Sequence, residues 1–158
     1  MAKMSPEQKT LQEDMAPGSL TLDGFLGDDP RSIEEIIRED ETFLQREGVE
    51  IKDIVMALKA FTFKGVEGLG DPVPVGDYEV SVEHFRGWQY CPFKHKKKVS
   101  KRNTKLVDKR TGKELYWSDL SLHLIEAHGF FQGKGAHFRM EPETILEVLR
   151  LERSESEE

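Results

Sequence analysis

A single cysteine, Cys91, stands in a chain of 158 residues, so no disulfide can form within it. The fold has to be held by a packed core, by a metal, or by both. Cys91 also marks where metal-capable side chains gather. It opens the run Cys91-Pro92-Phe93-Lys94-His95, and four of the five histidines (His95, His123, His128 and His137) follow it. The fifth, His84, falls on the apolar phase or at the end of a strand pattern, where a histidine is more often a packing residue than a ligand. A lone cysteine also fits a reducing, cytoplasmic setting.

At 37% hydrophobic and 34% charged residues, the composition supports one domain with a modest core. No apolar run approaches the roughly 18 residues of a membrane helix, and Met1-Ala2-Lys3-Met4-Ser5-Pro6 lacks the apolar centre of a secretory signal. No membrane partner is expected.

Periodicity predicts an α+β fold. Residues 1–19 are polar and read as a disordered tail. Phe25 and Leu26 are expected to tuck against a single domain over 20–152. Asp29 and Pro30 suit a helix cap and first turn. Ile33, Ile36, Ile37 and Leu44 then recur at helical spacing, interrupted by Asp40, up to a stop at Gly48. Ile51, Ile54, Val55, Leu58 and Phe61 form a second stripe, so 20–64 reads as a helical hairpin packed on a small antiparallel sheet. The glycines and prolines of 65–77 predict a loop. Gly65-Val66-Glu67-Gly68-Leu69-Gly70 lacks the strand before and helix after that a phosphate-binding fingerprint requires.

Tyr78, Val80 and Val82 alternate with polar residues as in a half-buried strand. Gly87 suggests a bulge and Trp88 a core anchor. Thr104–Asp108 and Lys113–Trp117 flank Lys109-Arg110-Thr111-Gly112 as a β-hairpin, with Gly112 left-handed. Ser118 caps a helix that Gly129 ends. The whole of 78–140 reads as a β-hairpin and finger-like half. Pro142 opens a C-terminal helix over 142–152, and 153–158 is an acidic, disordered tail.

Charge is unevenly spread. Lys94 to Lys113 carries ten basic residues against one acid, a net of +9, which leaves the rest of the chain at −16 for a total of −7. Lys94, Lys96, Lys97, Lys98, Lys101, Arg102 and Lys105 are therefore candidate anion contacts, and Lys134 and Arg139 extend the set through an anion nest at Gly133-Lys134-Gly135. The plainer reading is a solvated, lysine-rich loop.

Cys91, His95, His123 and His128 are the candidate metal ligands, since zinc takes thiolate and imidazole and a closed site needs four donors. His123 and His128 lie five apart on a helix, about 140° around its axis, and are expected to converge only if the last turn loosens before Gly129. The order of a ligand pair, a hairpin, and a helix with a second pair resembles a two-Cys two-His ββα zinc finger over Cys91 to His128. The resemblance implies a structural zinc ion. His95 stands where that pattern has its second cysteine, and 27 residues separate His95 from His123 where the pattern has about 12. The segment from His123 to Gly135 also resembles parts of small bacterial proteins.

These features predict a non-catalytic, zinc-stabilised binding module whose basic hairpin contacts nucleic acid or an acidic protein. Trp88, Tyr90, Phe93, Tyr116 and Trp117 are its candidate aromatic contacts. The alternative is a small metal- or thiol-dependent enzyme acting on an anionic substrate, with Glu126 as a general base or Cys91 as a nucleophile.

Overall fold

The computed structural model describes Pro6, residues 25–93 and residues 98–151. Apart from Pro6, the expected tails over 1–19 and 153–158, together with Lys94, His95, Lys96 and Lys97, lie outside these residues. From residue 25 onward two helices come first, α1 (Ile33–Glu47) and α2 (Ile51–Gly65). A four-stranded antiparallel sheet follows in chain order: β1 (Val73–Val75), β2 (Tyr78–Tyr90), β3 (Lys98–Asp108) and β4 (Glu114–Ser118). Helices α3 (Asp119–His128) and α4 (Pro142–Leu149) complete an α+β fold.

Local chemistry explains most boundaries. α1 starts at Ser32, whose hydroxyl accepts from the Glu35 amide while the Ser32 amide donates to the Glu35 carboxylate. This corrects the expectation that Asp29 is the cap. The Asp29 carboxylate is instead committed to Arg31 and to the Lys134 amide. α1 ends at Gly48, which takes the left-handed conformation (φ 71°) that favours glycine. α3 begins with a reciprocal Ser118–Ser121 cap and α4 with Pro142 in its first turn. The glycine-rich 65–77 stretch was expected to hold no strand, yet Val73–Val75 pairs with β2. Pro74 is tolerated there because β1 is the sheet edge.

The main core lies between the sheet and the helices. Val80, Leu106, Leu115 and Trp117 meet Ile54 and Leu58 of α2, Ile125 of α3, Ile145 of α4 and Phe131. Trp117 is fully buried, and its Nε1 donates to Thr62 Oγ1 at 2.9 Å. That burial removes Trp117 from the expected aromatic contacts. A second cluster gathers Phe25, Leu26, Ile33 and Ile36 against Leu120, Leu124, Phe130 and Cys91. The cysteine is thus built into a core of its own.

The long β2–β3 hairpin changes register between Phe85 and Trp88, which leaves Arg86 and Gly87 (φ 95°) as a bulge. Beyond the bulge Trp88 is 56% exposed, which overturns its expected role as a core anchor. His84 is exposed on the same strand.

Buried charge ties distant segments together. Arg139 and Asp40, both nearly inaccessible, form a two-pronged ion pair at 2.6 and 3.1 Å, and Arg139 also reaches Glu141. Hydrogen bonds from Arg31 hold the Asp29 carboxyl well below the usual carboxylate range, against the opposing push of burial. Arg139 lowers Glu141 in the same direction. A carboxyl whose folded pKa lies below its unfolded value stabilises the fold above that unfolded value, about 4. The contribution is lost as pH falls from there through the folded pKa. Melting temperature is therefore expected to drop as pH goes below about 4, and Asp29→Asn to lower it at neutral pH while flattening the acid limb.

Candidate metal centre and adjoining groove

Cys91 follows directly on β2, where Pro92 turns the chain away from the sheet. Its side chain is only 5% exposed among apolar neighbours. α3 brings the two histidines. One ligand atom from each of Cys91, His123 and His128 can be chosen so that all three lie within 4.8 Å of one another. Cys91 Sγ is 3.3 Å from His128 Nε2. A zinc ion with bonds of about 2.3 Å to sulfur and 2.0–2.1 Å to nitrogen, at tetrahedral angles, places those atoms roughly 3.5 Å apart. The donor chemistry fits a metal ion, and so does the Cys91–His128 spacing.

The histidines converge without the expected loosening of the helix. α3 runs unbroken to His128, and the Gly129 amide still donates to the Ile125 carbonyl at 3.0 Å. Side chains on a helix lean toward its N-terminus, so the His128 imidazole reaches back over the preceding turn. The His123 and His128 rings meet edge to face at 5.5 Å. Phe93 stacks on His128 at 4.0 Å and sets its edge against Phe130 at 5.7 Å, which fixes the imidazole plane. Phe93 is thereby a support for the cluster.

Burial pushes the Cys91 thiol up, opposed in part by a hydrogen bond with the Phe93 backbone. A buried thiol of this kind is harder to ionise than a free one. A metal ion would have to displace that proton, so its affinity would rise with pH. His95, the fourth expected ligand, lies outside the described residues.

A groove of about 570 Å³ opens beside the cluster, and His123 belongs to both. Its walls come from α2 (Lys59, Phe63), the hairpin (Trp88, Lys98, Arg102) and α3 (Asp119, Glu126). Pairing of Trp88 with Ser100 and Tyr90 with Lys98 puts these side chains on the face of the sheet that carries Val80 and Leu106. The sheet face that builds the core thus continues past it as an aromatic and basic surface. Lys98 Nζ lies over the Trp88 ring at 4.8 Å. Arg102 pairs with Asp119 at 2.9 Å and Lys59 with Glu126 at 3.0 Å.

Among the described residues, the basic run is divided between the two faces of the sheet. Side chains alternate along β3, so Lys98 and Arg102 face the groove while Lys101 and Lys105 share the opposite face. Lys105 lies 3.7 Å from Glu114. Arg139 is buried by its ion pair and is removed as an anion contact. The expected nest at Gly133-Lys134-Gly135 is filled from within, since the Lys134 amide donates to the Asp29 carboxylate at 3.0 Å. Gly133 has no room for a Cβ against the Leu26 carbonyl and Asp29. Tyr116 is half-buried and packs on His137 and Phe138. Phe63, Phe85 and Tyr90 are exposed, and Phe63 was missed in the sequence because it falls beside an apolar helix stripe. Among the described residues, no helix is long and apolar enough to cross a membrane.

Comparison of the chain with protein-family models, with curated proteins and with solved structures finds no match.

Proposed function

We propose that this protein is a zinc-stabilised binding module for nucleic acid, with no catalytic role for the metal. Cys91, His123 and His128 hold the ion, and His95 is the fourth ligand. The ion ties the end of β2 to the end of α3 across the second core cluster. It thereby fixes the outer part of the hairpin relative to the helices. The observation that carries the binding role is the surface next to the cluster, where exposed Trp88 and Tyr90 lie beside Lys98 and Arg102. Lysine and arginine neutralise phosphates, and aromatic rings stack on bases.

The test is fluorescence anisotropy of a labelled single-stranded oligonucleotide with the zinc-loaded protein, titrated with salt. Binding that engages about four phosphates should weaken with a log–log slope near −3. No binding at low salt, or displacement only by an acidic polypeptide, would contradict the nucleic-acid reading.

A further inference from the structure

From the groove between α2, α3 and the β2–β3 hairpin, we infer a pocket for one unpaired nucleobase, stacked on Trp88, with the adjoining phosphate at Lys98. This rests on the nucleic-acid reading and specifies it as recognition of single strands. Four observations lead to it. The groove's volume of about 570 Å³ lies within the range of small-ligand pockets, roughly 300–1,000 Å³. Two exposed aromatic side chains, Phe63 on α2 and Trp88 on the hairpin, line it. Lys98 Nζ lies over one face of the Trp88 ring, so a base stacked on the other face shares the ring with a cation that can reach its phosphate. The groove's two carboxylates, Asp119 and Glu126, are each balanced by a cation, and Lys98 adds positive charge beyond them. A concave site of this kind needs a base released from its stack, and a duplex does not present one without the cost of unpairing.

The metal enters through His123, which lines the groove and belongs to the cluster. Fixing His123 on an ion fixes part of the groove floor, so metal and base binding reinforce one another.

The chain offers a direct readout. Of its two tryptophans, Trp117 is fully buried and Trp88 is 56% exposed. Emission changes on adding a short oligothymidylate to the zinc-loaded protein therefore report on Trp88. The expected result is saturable quenching by the single strand and little by the matching duplex. Stacking of one base implies that Trp88→Ala weakens binding by about 5- to 150-fold in anisotropy, without lowering the melting temperature. Phe63→Ala should weaken it in the same direction, and a chelator should reduce affinity for the oligothymidylate. If the oligothymidylate binds in a salt-dependent way but leaves Trp88 emission unchanged, and Trp88→Ala binds like the parent protein, the base pocket is overturned and the nucleic-acid reading stands. If no oligonucleotide binds under any salt condition, both fall.

Discussion

Replacing Arg139 with leucine is expected to lower the stability of this domain by about 3–5 kcal/mol, the usual cost of leaving one partner of a buried ion pair behind. Arg139 and Asp40 have side chains that are 6% and 8% exposed. Asp40 sits in the middle of α1, and Arg139 lies in the loop before α4, where it also donates to the Gln132 carbonyl. Its removal leaves a carboxylate facing a core with no cation, and frees that carbonyl as well. In a domain of this size the loss corresponds to a fall in Tm of roughly 10 °C or more. Asp40→Leu should be comparably harmful. The double replacement Asp40→Leu/Arg139→Leu should recover much of the loss, because an apolar pair leaves no uncompensated charge. Thermal melts of the three variants check this. Additive losses in the double variant would show that the two side chains act independently.

The second large effect concerns the metal. If the proposed site holds zinc, a hundredfold excess of zinc over its dissociation constant would stabilise the fold by about 2.7 kcal/mol. Cys91→Ser is expected to remove most of that stabilisation and all sensitivity of the melt to chelators. His128→Ala should do the same and also remove the stacking partner of Phe93. Buried Cys91→Ser carries a packing cost of its own, since the residue lies among Phe25, Leu26, Leu124 and Phe130. The readout specific to the metal is therefore the difference between melts with zinc and with chelator, measured for each variant. A Cys91→Ser protein that gains as much from zinc as the parent would place the ion elsewhere.

The parts of this fold that were legible in the sequence are those fixed by neighbours along the chain. Helical stripes, the Gly48 and Gly129 stops, the Ser118 cap and the Asp108–Gly112 hairpin loop depend on residues a few positions apart, and each was read in place. Mistaken or missed features depend on partners far away. Asp40 looked like an interruption of an apolar stripe because its cation lies 99 positions on. Asp29 looked like a helix cap, but the Lys134 amide and Arg31 claim its carboxylate. Trp88 looked like a core residue because its size suggests burial, whereas past the bulge at Arg86–Gly87 it lines an open groove and stays exposed.

The candidate site was legible in the same uneven way. Concentration of cysteine and histidine singled out Cys91, His123 and His128, and the fold brings these together. The supporting role of Phe93 was invisible, since nothing in its spacing points to His128. The lysine-rich run suggested one positive patch, but the period of two along β3 divides it between the faces of the sheet. The groove could not be read at all, because its walls come from three segments whose approach only the tertiary fold sets.

The most direct measurement is the zinc content of the purified, untagged chain by elemental analysis, paired with melting in the presence and absence of a chelator. One zinc per chain, lost together with a cooperative drop in Tm on chelation, is the result expected of a structural ion at Cys91, His123 and His128. A chain that contains no metal, takes up none when zinc is supplied, and melts identically with and without chelator would contradict it.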